Sequence, residues 1–255
     1  MEEKRLLMNW GYMSYLEDGE GDTTLVFIHG AGNRGSIWNK VMEHLKSDFQ
    51  VIAPDLPGHG RSSCILHKSI EGYAQSIREF LETLNLQEVF LIGHSMGGAI
   101  TIKTVPQCPQ VKGAVLVGTG AQLKVNTKLL KGLQENFVES VGTMARWCFS
   151  KGTREELIEE ARDMMLQAGR DVLYRDMYAC SVYSGTEDLK KFDIPTLVVC
   201  GEKDVMTPVD LSRDLVTQIK GSKLKLIPNS GHMVHLEQPQ TLAKAIKDWW
   251  IGLTQ

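Results

Sequence analysis

Short, nearly unbroken apolar runs alternate along the chain with longer stretches in which apolar residues recur every three or four positions. A continuous apolar run of this length is typical of a strand that is buried on both faces. Six such runs occupy residues 25–28, 51–53, 89–92, 114–117, 196–199 and 224–227. Because they alternate with helical patterns, the chain predicts an α/β fold, in which a parallel sheet is covered by helices.

The stretches between these runs predict amphipathic helices at residues 37–46, 70–84, 96–105 and 242–250. Helical spacing in the last of them is carried by Leu242, Ala245, Ile246 and Trp249. Ahead of the first apolar run, residues 7–16 predict an antiparallel element that ends in a turn at Asp18-Gly19.

One segment interrupts the alternation. Between residue 121 and about residue 191 the sequence has helical patterns, at 154–168 and 172–182, but no convincing strand. We expect this segment to be a helical insertion that lies as a lid over the strand ends. The chain would then consist of a core domain, residues 1–120 and 192–255, and a helical cap, residues 121–191.

Composition narrows the choice of partners. The 255 residues are 42% hydrophobic and 23% charged, with a formal net charge of −3, so no basic surface for nucleic acid is expected. No apolar run approaches the roughly 20 residues of a membrane-spanning helix, and no signal-peptide pattern follows the first residues. Five cysteines without a Cys-x-x-Cys pair favour reduced thiols over a zinc site. We expect a cytoplasmic protein without membrane contact, either a monomer or a homodimer.

The motif with the clearest chemistry is Gly93-His94-Ser95-Met96-Gly97. It follows a predicted strand and precedes a predicted helix, where Gly-x-Ser-x-Gly forms a strained turn that exposes the serine hydroxyl. Small residues are needed on both sides because backbone segments approach closely there. The backbone N–H of Met96, at the start of the helix, would face an oxyanion that forms at Ser95.

A serine hydroxyl needs an adjacent base to act as a nucleophile at neutral pH. His232 follows the last predicted strand and Asp204 follows the run at 196–199, so both lie at carboxyl ends of strands. The chain order of serine, aspartate and histidine is that of the hydrolases with this serine turn. We therefore predict Ser95 as nucleophile, His232 as base and Asp204 as the residue that orients the base.

Neighbouring residues compete for these roles. His235 is the alternative base, and Glu202 and Asp210 are the alternative carboxylates. The second oxyanion donor is expected in the loop His29-Gly30-Ala31-Gly32, whose glycines let the backbone approach a substrate, and the Ala31 N–H is the best candidate.

Five motifs in this order resemble the α/β-hydrolase fold over almost the whole chain. They are His29-Gly30, the segment Pro54-Asp55-Leu56-Pro57-Gly58-His59-Gly60-Arg61-Ser62, the serine turn, Gly201-Glu202-Lys203-Asp204 and Gly231-His232. The resemblance implies a mostly parallel sheet of eight strands flanked by helices, with a helical cap inserted after the sixth strand. It also implies a hydrolase without metal or organic cofactor, most often a carboxylesterase. The family includes lipases, perhydrolases and haloalkane dehalogenases, but a dehalogenase usually carries aspartate in place of Ser95.

A competing interpretation lies in the same sequence. Gly30-Ala31-Gly32-Asn33-Arg34-Gly35 is a Gly-x-Gly-x-x-Gly after a predicted strand, and Asp55 follows about 20 residues later, as in nicotinamide-binding enzymes. An oxidoreductase would leave Ser95, Asp204 and His232 without a role. We therefore favour the hydrolase.

The predicted substrate is a small or medium-sized apolar carboxylic ester, bound in a pocket beneath the cap. Candidate pocket residues are His29, Gly30, His94, Trp147 and Met177. His94 and His29 are interpreted first as packing or bracing residues beside the site. A lactonase or a carbon–carbon bond hydrolase or lyase would use the same three residues, and a ligand sensor without catalysis is a further alternative.

Overall fold

A single sheet of eight strands organises the computed structural model, which describes residues 1–65 and 67–254. The strands are β1 (Glu2–Met8), β2 (Gly11–Asp18), β3 (Thr24–Ile28), β4 (Gln50–Pro54), β5 (Val89–His94), β6 (Val111–Val117), β7 (Thr196–Gly201) and β8 (Lys223–Ile227). Their order in the sheet is β1-β2-β4-β3-β5-β6-β7-β8. The pairs β1–β2 and β2–β4 are antiparallel and all other pairs are parallel, which confirms the predicted mostly parallel sheet.

The predicted apolar runs coincide with strands β3 to β8, but the last of them differs in burial. All five residues of β3 are buried, as expected for a central strand covered on both faces. In β8 the side chains of Lys223 and Lys225 are exposed, because β8 is the edge of the sheet. Charged side chains on such an edge hinder pairing with another chain.

The N-terminal antiparallel element is a hairpin whose tight turn lies inside the predicted range. Met8 pairs with Gly11, so the chain reverses at Asn9 and Trp10 rather than only at Asp18-Gly19. Residues 2–5 are all charged, which is why the apolar pattern gave no sign of the first half of β1.

Helices flank the sheet and fill the interval between β6 and β7. The flanking helices are α1 (Asn39–Glu43), α2 (Ile70–Thr83), α3 (Met96–Thr104), α9 (Val209–Gln218), α10 (Val234–Glu237) and α11 (Pro239–Thr254). The helical insertion after β6 consists of α4 (Thr127–Glu135), α5 (Phe137–Trp147), α6 (Glu155–Ala168), α7 (Arg170–Val182) and α8 (Thr186–Leu189). The predicted helix at 37–46 is shorter than expected, because residues 35–38 form a 3₁₀ turn and α1 has only five residues. Helices α9 and α10 were not predicted, and within the insertion only α6 and α7 were.

Two apolar clusters cover the two faces of the sheet. One includes Trp38 and Phe49 and continues into the insertion through Leu133, Met144 and Leu173. The other includes buried residues of α2 and α3. Because the first cluster contains residues of both the core and the insertion, the insertion packs directly on the core. It lies above the carboxyl ends of the strands that carry the candidate site.

Within residues 1–65 and 67–254, no helix has the length and apolar character to cross a bilayer.

Candidate active site

Ser95 occupies a strained turn between β5 and α3. Its φ of +53° and ψ of −116° lie where L-residues are rarely found, and such strain persists only when the surroundings enforce it. A Cβ on Gly97 would lie 2.2 Å from the carbonyl oxygen of Ile28, and one on Gly93 would lie 2.3 Å from that of Gly97. The Ser95 N–H donates to Val117 O at 2.9 Å. Both glycines of the motif are therefore required for the chain to present the serine here.

The structure brings His232 and Asp204 together. The Nδ1–H of His232 donates to Asp204 Oδ2 at 2.9 Å, and both side chains are almost fully buried. Asp204 also accepts from the N–H groups of Met206 and Thr207, at 2.9 and 2.8 Å, and from the Thr207 hydroxyl at 2.7 Å. Burial alone would raise the pKa of Asp204, but His232 and these donors outweigh it and lower the pKa below its ordinary value. Asp204 is thus held as a carboxylate facing the imidazole.

His232 is held through its backbone as well as its ring. Its N–H donates to Cys148 O, directly after α5, at 2.8 Å, and its own carbonyl oxygen accepts from His94 Nε2–H at 2.9 Å. Because a carbonyl only accepts, the proton of His94 lies on Nε2. Burial, with His235 and His232 nearby, lowers the pKa of His94 well below its usual range, so His94 is neutral. His94 therefore braces the histidine loop.

The loop after β3 packs on the serine turn. An added Cβ at Gly30 would lie 3.0 Å from His94 Nδ1 and 3.3 Å from Ser95 Cβ. Ala31 lines the same cavity as Ser95, and Met96 is the first residue of α3. The two predicted oxyanion donors therefore lie on the two segments that flank Ser95.

His29 braces this loop from behind. Its Nε2 accepts from the Leu56 N–H at 3.0 Å, so its proton lies on Nδ1 and is donated to Gly30 O at 2.8 Å. Complete burial, assisted by His59, lowers the pKa of His29 to about 3. Both ring nitrogens are thus occupied by backbone partners.

Ser95 and His232 line one cavity of about 60 Å³ beneath the insertion. Of the predicted pocket residues, His94 and Met177 are in its wall. The prediction is wrong for Trp147, which is 44% exposed because it lies on the outer face of α5. His29 and Gly30 lie behind the wall: the His29 ring bonds to Gly30 O and to the Leu56 N–H, and Gly30 packs against His94.

Methionines dominate the cavity wall: Met144, Met165, Met177, Met206 and Met233. Asn33, Lys124 and Thr207 add polar groups. Sequence reasoning missed nine lining residues: Asn33, Leu123, Lys124, Val125, Cys148, Cys180, Met206, Thr207 and Met233. Three of these stand within three residues of Asp204 or His232, and that adjacency is a signal that could have found them.

The competing residues have other surroundings. The ring of His235 packs at a tilt against that of Trp38, with 4.8 Å between centroids, and burial lowers the pKa of His235 to about 3. Asp210 pairs with Arg213 at the surface, at 2.9 Å, and Glu202 is exposed. His232 is therefore the histidine in the cavity wall, and Asp204 is the carboxylate bonded to it.

The glycine-rich loop lacks the geometry of a dinucleotide site. Both carboxylate oxygens of Asp55 accept backbone hydrogen bonds, from Gly35 N–H at 2.7 Å and from Arg61 N–H at 2.9 Å. The loop leads into a 3₁₀ turn and the five-residue α1, rather than into a long helix whose N-terminus could hold a pyrophosphate. Asp55 thus closes the loop on itself.

With this geometry established, comparison with known proteins gives the class. The model of the alpha/beta hydrolase family matches residues 25–245, and the chain belongs to this family. It is 28% identical to (E)-2-((N-methylformamido)methylene)succinate hydrolase of Acinetobacter baylyi, over 92% of each chain. It is 25% identical to 2-hydroxy-6-oxo-2,4-heptadienoate hydrolase of Pseudomonas putida, over 96% of this chain and 95% of that one.

Among solved structures, a thermophilic esterase superposes with a TM-score of 0.87 and 30% identity, covering 97% of this chain and 96% of the esterase. The predicted fold class is confirmed, and the protein is a hydrolase of this family.

Proposed function

We propose that this hydrolase cleaves carboxylic esters with short apolar acyl groups through an acyl-enzyme on Ser95. The observation that carries the proposal is that Ser95, in its strained turn, shares one cavity with His232, whose Nδ1–H is held by Asp204 at 2.9 Å. A nucleophile, a base and a group that orients the base are the parts that acyl transfer requires. The likeness to an esterase at 30% identity supports the same class.

Each residue has a defined role in the proposed reaction. With the His232 proton on Nδ1, its Nε2 takes the proton of Ser95 as the serine oxygen attacks the ester carbonyl carbon. The N–H groups of Ala31 and Met96 stabilise the oxyanion, and loss of one such donor typically costs about 10²–10³ in kcat. His232 then protonates the departing alcohol. Water attacks the acyl-enzyme with His232 again as base, and the carboxylic acid leaves.

Cavity size sets the expected substrate length. About 60 Å³ is well below the roughly 150 Å³ that admits benzene in an engineered apolar cavity. The insertion contributes Met144, Met165 and Met177 to the wall, and we propose that it acts as a lid. Methionine side chains are flexible and adapt to different shapes, so medium-length acyl groups would enter more slowly rather than be excluded.

The test is hydrolysis of p-nitrophenyl esters from acetate to octanoate by the wild type and by Ser95→Ala. We expect acetate and butyrate to be the best substrates and Ser95→Ala to lower kcat by at least about 10⁴-fold. Ser47→Ala, at an exposed serine far from the cavity, is the matched control and should keep wild-type rates. A folded wild type without turnover of any ester, or a Ser95→Ala variant with normal rates, would contradict the proposal.

A second candidate function is hydrolysis of a carboxylate-bearing substrate at a carbon–carbon bond or a lactone. The cationic residue Lys124 is among those that line the cavity, and both named relatives act on substrates that carry carboxylates. The discriminating measurement is turnover of 2-hydroxy-6-oxo-2,4-heptadienoate and of simple lactones beside p-nitrophenyl acetate. A higher kcat/KM for one of these than for acetate would favour the second candidate. Saturable nicotinamide binding, or ligand binding without any turnover, would favour the oxidoreductase or the sensor.

A further inference from the structure

A second buried carboxylate joins the helical insertion to the core. Asp176, on α7, is completely buried and accepts three hydrogen bonds from three different segments of the core. Its Oδ1 accepts from the Tyr73 hydroxyl of α2 at 2.7 Å. Its Oδ2 accepts from His59 Nε2–H at 2.8 Å and from the N–H of Gly32, in the loop after β3, at 2.9 Å.

The geometry identifies His59 and Asp176 as an ion pair. His59 Nδ1 faces Pro57 O at 3.1 Å while Nε2 faces the carboxylate, so both ring nitrogens face acceptors and both carry hydrogens. Burial alone would lower the pKa of His59, but Asp176 outweighs it and raises the pKa. Burial would raise the pKa of Asp176, but His59, Tyr73 and Gly32 lower it.

The other titratable groups around the pair are neutral or already bonded. The His29 ring lies 4.9 Å from that of His59, between centroids, and its pKa of about 3 keeps it uncharged. Burial raises the pKa values of Tyr73 and Cys180. Asp55 is held by backbone N–H groups, and burial raises its pKa. Asp176 is thus the group that balances the charge of His59.

The loop that Asp176 holds contains the candidate oxyanion donor. We propose that Asp176 is a positioning residue that fixes the Ala31 N–H toward Ser95, so that the oxyanion site is complete only when the insertion is seated on the core. This inference rests on the proposed function, because it assigns Ala31 the role of oxyanion donor.

The hydrogen bonds on both sides of Ala31 support this role. The peptide before it is fixed because Gly30 O accepts from His29 Nδ1–H at 2.8 Å. The peptide after it is fixed at both ends, since the Gly32 N–H donates to Asp176 and Ala31 O accepts from Asn33 Nδ2–H at 2.9 Å. With both planes fixed, the direction of the Ala31 N–H is fixed as well.

Helix α7 also packs on the loop one turn before Asp176. Gly32 has a φ of +63°, and a Cβ added there would lie 2.7 Å from Leu173 Cδ1. Leu173 and Asp176 therefore contact the same residue of the loop, one by packing and one by hydrogen bonding. Movement of α7 away from the core would remove both contacts together.

An amide in place of the carboxylate cannot satisfy the same partners. In Asp176→Asn, an amide NH₂ at the position of Oδ2 could face a neutral His59 but would oppose the N–H of Gly32. An amide oxygen at that position would keep the Gly32 bond, but His59 would then be either a buried, uncompensated imidazolium, which is strongly unfavourable, or a neutral ring whose Nδ1 lone pair opposes Pro57 O. We therefore expect the loop to lose its acceptor in this variant.

The experiment compares wild type, Asp176→Asn and the control Asp163→Asn, the same chemical change at an exposed position of α6. Amide hydrogen exchange in peptides covering residues 29–36 reports on the loop without reference to catalysis. We expect exchange at least about tenfold faster in Asp176→Asn and unchanged exchange in Asp163→Asn. With p-nitrophenyl acetate we expect kcat to fall by about 10- to 100-fold while KM changes by less than about threefold, because an oxyanion donor acts on the transition state.

A double variant guards against failure to fold. Asp176→Leu with His59→Leu removes the acceptor without leaving a buried charge, and such apolar replacements are often tolerated. It should show the same exchange and the same loss of kcat. Unchanged loop exchange in a folded variant, or a loosened loop with wild-type kcat, would overturn the inference. A wild type that turns over no ester would refute the proposed function instead, and the exchange comparison would still decide whether Asp176 holds the loop.

Discussion

Two buried histidine–carboxylate pairs lie within residues 1–65 and 67–254, and they differ in what the second ring nitrogen faces. In the pair of His232 and Asp204, the carboxylate accepts a hydrogen bond from Nδ1–H at 2.9 Å, and the ring lines the cavity beside Ser95. In the pair of His59 and Asp176, Nε2–H of His59 donates to Asp176 Oδ2 at 2.8 Å, and the other ring nitrogen, Nδ1, donates to Pro57 O. A histidine with one nitrogen left for a substrate can exchange a proton, whereas one with two acceptors is held as a cation. In the proposed function, the same two residue types thus serve chemistry in one place and attachment in the other.

The location of each carboxylate fits this division. Asp204 follows β7, and all of its hydrogen-bond donors are within three residues of it or are His232 itself. Asp176 comes from the insertion and its three donors come from the core. Replacement of Asp204 should therefore disturb the proposed reaction and leave the fold intact. Replacement of His59, the partner of Asp176, should instead disturb the packing of the helical insertion on the core.

The largest expected effect separates the pairs by catalysis. Asp204→Asn should lower kcat by about 10⁴-fold, because an amide no longer selects the tautomer of His232 that leaves Nε2 free as a base. Asp176→Asn should cost about 10- to 100-fold through the loop alone. The measurement is kcat for p-nitrophenyl acetate at neutral pH, with circular dichroism to verify folding. Equal losses in the two variants would remove the distinction between the pairs.

The second-largest expected effect distinguishes the two pairs by the free energy of unfolding and its dependence on pH. His59→Gln should lower the free energy of unfolding by about 3 kcal/mol at pH 6, since it leaves Asp176 buried without its cation. The raised pKa of His59 makes its contribution complete below about pH 6.5 and lost as the pH rises through the folded-state value. The lowered pKa of Asp176 makes its contribution present above about pH 3.9 and lost as the pH falls through its folded-state value.

The difference between wild type and His59→Gln should therefore be largest between about pH 4 and 6.5 and should shrink toward pH 9. Urea unfolding at several pH values measures it. His44→Gln, at an exposed histidine, is the control and should show no such dependence. A difference that grows with pH would mean that His59 is neutral in the folded protein.

The two pairs also differ in how far the sequence predicts them. Ser95, Asp204 and His232 each follow a recognisable apolar strand, so the order of motifs places them at one end of the sheet. Asp176 has no such marker in a helix that also carries Arg170, Asp171 and Arg175. Its signal is positional, because Leu173 and Cys180 lie three residues before and four after it on the buried face of α7. A carboxylate on that face needs partners, and only the three-dimensional structure shows that they are His59, Tyr73 and Gly32.

The other predictions also succeeded where burial determines the residue type and failed where the three-dimensional neighbours decide. Continuous apolar runs specified the central strands, because burial on both faces leaves little choice of side chain. Trp147 was misplaced because the helical patterns predicted in the insertion, at 154–168 and 172–182, do not include α5, and periodicity does not show which side chains face the cavity. The start of β1 carries only charged residues, and its pairing with β2 depends on the neighbouring strand.

The smallest expected effect comes from removing one hydroxyl at each pair. Thr207 donates to Asp204 Oδ2 at 2.7 Å and Tyr73 donates to Asp176 Oδ1 at 2.7 Å, so Thr207→Val and Tyr73→Phe are matched deletions. Each removes one charge-assisted hydrogen bond, worth about 1.5–3 kcal/mol.

At Thr207 the loss should appear in kcat/KM, as about a three- to tenfold decrease, because the remaining donors to Asp204 hold it less firmly against His232. At Tyr73 it should appear in the free energy of unfolding, with kcat within about twofold of wild type, because the bond from Gly32 to the other oxygen persists. Steady-state kinetics and urea unfolding on both variants measure the two readouts. A Tyr73→Phe variant that loses as much kcat as Thr207→Val would show that Asp176 acts on the reaction as one unit with its donors, and the separation of catalytic from attaching pair would then have to be given up.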